Sequence, residues 1–283
     1  MSAPDRGLNQ PPPFPALNLY RADRPLQEAV AANGAGWADQ ALDRYGALAG
    51  GELTALGEIA NRNRPRLLSH DRYGRRIDRV EYDDAYHRIM ATAVAHGLHA
   101  GPWQDPRPGA QVARAAMEYL HHQAEPGSNC PLTMTFAAVP VLRQAGAAGE
   151  SWIRGALSRS YDADDRHHAG KSGLLLGMGM TEKQGGSDVR GNSSRAQRQS
   201  DGSYLVDGHK WFFSAPMSDA FVVLAQAEGG LSCFLLPRWR DAGERNGLRL
   251  VRLKDKLGNH ANASSEVEFE QALAWRVGEE GRG

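Results

Sequence analysis

Thr181, Gly185, Gly186 and Ser187 lie directly behind an apolar run at residues 174–180, and together they have the residue types of a ligand loop. A run of that length and character reads as a buried strand. The glycine pair lets the main chain turn tightly and approach a ligand without side-chain obstruction. Thr181 and Ser187 bring hydroxyls to that approach, and the amides of a glycine-rich turn can meet phosphate oxygens. On spacing alone, an ordinary β-turn accounts for these residues best. Gly177, Gly179, Gly185 and Gly186 do not fall at dinucleotide-fingerprint spacing, no helix pattern follows them, and no P-loop is present.

Other chemistry-bearing residues give weaker patterns. His96 and His99 stand three apart, and His121-His122 and His167-His168 are adjacent pairs, but no motif supplies carboxylate or cysteine partners for a metal. These histidines read as surface or core polar groups, and no metal site is expected. Cys130 and Cys233 are far apart without paired spacing, so neither a disulfide framework nor zinc is expected.

The elements that must position the loop fall into two halves. With 283 residues and 41% hydrophobic content, the chain can bury a substantial core and is long enough for two domains. Pro11, Pro12, Pro13 and Pro15 forbid helix near the start and point to an extended arm over residues 1–22. Residues 23–170 read as a helical domain. Within it Ile89, Met90, Ala93, Val94 and Gly97 share one face, and Val112, Ala115, Ala116, Tyr119 and Leu120 share another. Residues 132–142 are apolar almost all round, as in a buried helix disturbed at Pro140. From residue 171 to 276 the pattern changes to alternation and turns, as in a β domain. There Ser200-Asp201-Gly202 divides two strands, and Gly229-Gly230 joins two compact apolar runs into a hairpin. The fold class is therefore α+β, an all-α domain followed by an antiparallel β domain.

Net charge is zero, so composition gives no global pull toward nucleic acid. The five lysines, Lys171, Lys183, Lys210, Lys254 and Lys256, are interspersed with acids, and a solvated surface is the default reading for most of the charge. No apolar run approaches bilayer length and the start lacks a signal-peptide layout, so a cytoplasmic protein without membrane contact is expected.

Two segments together resemble a known family. Met180-Thr181-Glu182 with Gly186-Ser187-Asp188 resembles the flavin signature of the acyl-CoA dehydrogenase superfamily. Gly208-His209-Lys210-Trp211-Phe212-Phe213-Ser214 falls where that family has its second flavin-contacting strand. A third segment, KLGNHANASSEVEFEQALAWRVGEEGRG from Lys256 to Gly283, resembles the end of the family's middle domain. The wording MTEKQGGSDV, HKWFFSAPMSDAFVVLAQ, PLTMTFAAVPVL and NQPPPFPALNLY is similar to the AidB-like branch, flavoproteins associated with the bacterial adaptive response to DNA alkylation.

The resemblance implies FAD as cofactor and an acyl-CoA-like substrate whose CH–CH group is oxidised. Met178, Gly179, Met180, Thr181, Gly185, Gly186, Ser187, Phe212, Phe213 and Ser214 would contact the cofactor, and Thr181 and Ser187 also the substrate. Phe212 stands where many relatives carry a tryptophan against the flavin, and Ser214 replaces a common threonine. Glu182 and Asp188 would support the loop instead of acting as the base.

The family continues into a C-terminal helical bundle at about residues 277–283, so the resemblance implies a truncated chain. The base would then lie in the missing domain, and this chain alone would hold FAD poorly and show no turnover. It also implies a homotetramer and, as an alternative function, double-stranded DNA binding by the full-length protein.

Overall fold

The computed structural model describes residues 12, 14–240 and 243–283. Most of the expected arm, including Pro11 and Pro13, lies outside the described residues. Residues 14–18 are non-helical, but the last turn of the expected arm is helical: α1 (Leu19–Ala22) is capped by the Asn18 side chain, which accepts from the Tyr20 and Arg21 amides.

Helices α2 (Arg24–Ala32), α3 (Asp39–Leu48) and α4 (Thr54–Arg62) follow, the last two joined by a π-helical turn. Next come α5 (Asp84–Ala95), the short α6 (Gly101–Gln104), α7 (Ala110–Ala124), α8 (Asn129–Leu142) and α9 (Ala147–Ala156). Ile89, Met90, Ala93 and Val94 of α5 are buried as one face, and Gly97 just beyond it takes φ +78°. In α7 the buried face is rotated from the expected one: Ala113, Ala116, Leu120 and His121 point inward, while Ala115 and Tyr119 are exposed. An alanine-rich helix has little apolar asymmetry, so its partners decide which side is covered. Here Tyr45 and Ser128 draw in His121 through hydrogen bonds of 2.7 and 2.8 Å to its two ring nitrogens.

Helix α8 is buried and runs through Pro140. A proline there leaves the carbonyl four residues back without its helical donor. That carbonyl belongs to Phe136, and the Trp103 indole N–H donates to it at 2.9 Å. The helix is therefore kept by a tertiary bond that replaces the lost one.

The helical half also contains a β-hairpin that the sequence pattern does not announce, β1 (Arg66–His70) with β2 (Arg76–Glu81). Its strands are held from the other half of the chain: Arg76 donates to the Leu250 carbonyl, and the buried Arg238 guanidinium donates to the carbonyls of Asp78 and Pro216.

The second half comprises β3 (Leu176–Gly179), β4 (Arg195–Arg198), β5 (Tyr204–Ser214), β6 (Ala220–Ala227), β7 (Gly230–Pro237), β8 (Leu248–Leu253) and β9 (Ser264–Val277). Strands β6, β4, β5, β9 and β7 pair in turn, and β7 returns to β6, closing a barrel to which β3 and β8 are added. Pairing is mainly antiparallel, including the expected β6–β7 hairpin, but β3 and β4 meet β6 in parallel. Beyond β9, Glu280 accepts from the Gly229 amide and the Tyr204 hydroxyl.

Three apolar clusters hold the molecule: one inside the helices, one inside the barrel, and a third between them. The third joins Ala138, Val139 and Leu142 of α8 to Leu174, Leu176 and Leu235. The outer edge of β3 is also satisfied from α8, because the Thr135 hydroxyl accepts from the Leu176 amide at 3.0 Å. The strand that leads into the glycine loop is thus fixed from both sides.

Candidate functional site

Strand β3 ends at Gly179, and a β-bulge in β5 receives the loop that follows. The β5–β9 register steps from Lys210↔Val267 to Phe213↔Ser265, with one residue more on β5 than on β9. The bulge frees the Trp211 amide from the ladder, and it donates to the Thr181 carbonyl at 2.8 Å. It also breaks the in-out alternation: Lys210 and Phe213 are buried, whereas Phe212 is 50% exposed. Met180, on the joined loop, is 45% exposed. Two large apolar side chains therefore stand in the open on adjoining segments, with Thr181 between the loop and the strand.

The loop is stitched down at further points. Glu182 and Gly185 exchange backbone hydrogen bonds of 3.2 and 3.0 Å, making a tight turn, and the Lys183 amide donates to His209 Nε2 at 3.1 Å. The Met180 carbonyl accepts from Asn192 Nδ2 at 3.0 Å. A β-carbon on Gly186 would lie 2.4 Å from the Thr181 hydroxyl, so the glycine keeps the approach to that oxygen open. The Thr181 backbone N–H and hydroxyl, and the Ser187 hydroxyl, have no hydrogen-bond partner among the described residues.

Not every expected contact residue reaches this surface. Phe213 is fully buried in the barrel core, its ring 4.3 Å from that of Phe221, and so cannot offer its ring to a surface ligand. Gly179 is buried too, and the reason for glycine there is packing: a β-carbon would lie 2.4 Å from the Phe213 ring. Met178 is half-buried and paired with Val222. Ser214 is half-buried at the seam between the halves, its hydroxyl 3.1 Å from that of Ser264 and beside the Cys130 thiol of α8. Gly185, Gly186 and Ser187 are exposed farther along the loop.

The carboxylates near the wall are engaged. Glu182 is completely buried, with Lys210 Nζ at 2.8 Å, and it also accepts from Gln184, Ser193 and Ser194. Burial alone would raise its pKa; the hydrogen bonds from Lys210, Ser194, Gln184 and Ser193 outweigh that and hold the carboxyl well below the usual carboxylate range. A group so pinned is no proton acceptor at neutral pH. Asp188 is exposed, and Arg190 hydrogen bonding lowers its pKa.

The solvated-surface reading of the lysines needs correction. Lys171, Lys210 and Lys254 have side chains 3%, 0% and 9% exposed, paired with Asp219, Glu182 and Glu266. Each carboxylate is distant in sequence from its lysine, so no local charge pattern could reveal the pairing. Lys254 also lies 3.4 Å from the Trp211 ring centre, which backs the bulge with a cation–π contact.

A cleft of 1230 Å³ between the hairpin and the barrel is lined by Tyr82, Tyr86, Tyr161 and Asp219, and by none of the site residues expected from sequence. Among the described residues, no group of three or more His, Cys, Asp or Glu side chains could hold a metal ion.

Comparison with known proteins matches both halves. Residues 9–163 match the adaptive response protein AidB N-terminal domain, and residues 177–272 match the acyl-CoA dehydrogenase middle domain. The chain belongs to the AidB-type acyl-CoA dehydrogenase family. It is 52% identical to AidB of Escherichia coli (strain K12) over 98% of its own length and 52% of that protein's. Caenorhabditis elegans ACDH-11, solved in complex with C11-CoA, superposes with a TM-score of 0.87 at 27% identity, covering 100% of this chain and 50% of the other. Bd2924 in its apo form gives 0.83 at 29% identity, covering 97% and 57%. The chain spans about half the length of the curated relatives it matches.

Among the described residues, no helix is long and apolar enough to cross a membrane.

Proposed function

We propose that the Met180–Thr181 loop and the β5 bulge form the flavin-facing wall of an FAD-dependent oxidoreductase acting on the CH–CH group of an acyl-CoA. The observation that carries this is the surface itself: exposed Met180 and Phe212 beside a Thr181 whose N–H and hydroxyl have no partner among the described residues. An isoalloxazine ring asks for that combination, an apolar shelf for its face and donors at its polar edge. FAD, when bound, would supply the acceptor for the substrate's β-hydrogen as hydride.

Thr181 would donate to the ring's polar edge and Phe212 would cover its face. Ser187 would meet the phosphates and the pantetheine arm of the substrate. The two carboxylates of the loop, Glu182 and Asp188, are both paired, so we assign the α-proton to a carboxylate outside the loop.

Net charge is zero, so the composition of this chain gives no general pull toward double-stranded DNA. We place any DNA contact of the full-length protein elsewhere. A homotetrameric, cytoplasmic protein remains part of the same reading.

The test is anaerobic addition of acyl-CoAs of graded chain length to the FAD-loaded full-length protein. Bleaching of the flavin absorbance with one or more of them is expected. Full oxidation retained with every chain length would overturn the dehydrogenase reading.

A further inference from the structure

Glu182 and Lys210 are the immediate neighbours of Thr181 and Trp211, so their ion pair flanks the very hydrogen bond that joins the loop to the bulge. We infer that this buried pair positions the cofactor-facing wall, an inference that rests on the FAD reading above. The Glu182–Lys210 pair gathers four segments. The Glu182 carboxylate accepts from Gln184 in the loop at 2.9 Å and from the amides of Ser193 and Ser194 at 2.6 and 3.1 Å. It also accepts from their hydroxyls at 2.8 and 2.6 Å. Lys210 brings in β5, and through its second bond, 2.7 Å to the Leu224 carbonyl, it brings in β6.

The consequence reaches both exposed positions of the wall. Asn192, directly before the two serines, holds the Met180 carbonyl, and Trp211, directly after Lys210, holds the Thr181 carbonyl. With both carbonyls tied inward, Thr181 presents its free donors outward. Burying two opposite charges is a costly way to fill space, because apolar side chains of similar volume pack at least as well. The pair contributes something packing does not, a fixed register between a loop and a bulged strand that share no regular ladder.

A second buried pair provides the control. Lys171 and Asp219 lie 2.7 Å apart with side chains 3% and 6% exposed, but Asp219 fastens Leu175, at the other end of β3 from the wall.

The experiment is FAD titration of the full-length protein and its Glu182→Gln, Lys210→Met, Glu182→Gln/Lys210→Met and Lys171→Met/Asp219→Asn variants, with folding checked by circular dichroism. Each variant at Glu182 or Lys210 is expected to raise the Kd for FAD at least tenfold and to shift the visible absorbance of the bound flavin. The control double variant is expected to lose thermal stability while keeping wild-type flavin affinity and spectrum. If a single variant fails to fold, the Glu182→Gln/Lys210→Met protein, which buries no unpaired charge, decides the matter by the same two readouts. Wild-type affinity and spectrum in the folded variants would overturn the positioning role, as would an equal flavin defect in the control. Wild-type protein that takes up no FAD would instead overturn the reading beneath it.

Discussion

In the helical half two buried histidines, His99 and His121, are kept neutral; in the barrel two buried lysines, Lys171 and Lys210, are held in ion pairs. His121 is enclosed between Tyr45 and Ser128, and burial lowers its pKa to about 4. His99 donates from Nε2 to the Ser158 carbonyl at 2.8 Å, and burial likewise lowers its pKa to about 4. Across the seam, Glu182–Lys210, Asp219–Lys171 and Asp165–Arg238 are buried as ion pairs. The difference follows what each half must hold. Helices satisfy their own backbone, so a side chain there can be buried neutral with one or two hydrogen bonds. The barrel must fasten irregular loops and a bulge, and a charged carboxylate can accept from several donors at once.

The comparison breaks most sharply at the pairs. Glu182→Gln leaves Lys210 buried without its counter-charge and is expected to destabilise the protein by about 3–5 kcal/mol in urea unfolding, with much of the loss recovered when Lys210→Met is added. Additive losses would mean that the two charges are not coupled.

Acid separates the halves by window. The two histidines have folded pKa values below their unfolded value of 6.5, so their contribution is complete above pH 6.5 and is lost as pH falls toward 4. Each accounts for about 3 kcal/mol over that interval. Glu182 and Asp165 are also depressed, but from carboxylate values of 4.5 and 3.8, so their contribution is lost only at lower pH. Asp219 runs the other way: burial raises its pKa to about 6, so its contribution is present at low pH and fades as pH rises through that value. Hydrogen exchange between pH 6.5 and 4 is expected to show the helical amides losing protection before those of β5 and β9. Simultaneous loss would contradict the division.

A smaller effect is expected at the proline helix. Trp103→Phe keeps the ring that stacks on Phe136 but removes the indole donor from the Phe136 carbonyl, at a cost of about 1–2 kcal/mol in thermal unfolding. A null result would show that water serves that carbonyl equally well.

Features set by local order were legible in the sequence. The apolar run into β3, the glycine turn between β6 and β7, and the buried face of α5 each follow from period or turn chemistry within a short window. Features set by distant partners were not. The β1–β2 hairpin depends on Arg238 and Leu250, far along the chain, and the buried lysines depend on carboxylates no local pattern connects to them. At the site, Met180 and Phe212, named through the resemblance, stand exposed, while the bulge that exposes Phe212 has no local sequence signal. The resemblance counts Phe213 among the cofactor contacts, whereas the extra residue in β5 turns its ring into the core.

The central claim, that the loop and the bulge make one flavin wall, is tested most directly by FAD binding to full-length wild-type protein and its Thr181→Ala and Phe212→Ala variants. Wild type is expected to carry stoichiometric FAD, and each variant to bind it at least tenfold more weakly while folding normally, about 1.4 kcal/mol or more per site. Full-length wild-type protein with no flavin absorbance, and none gained on adding FAD, would contradict the account.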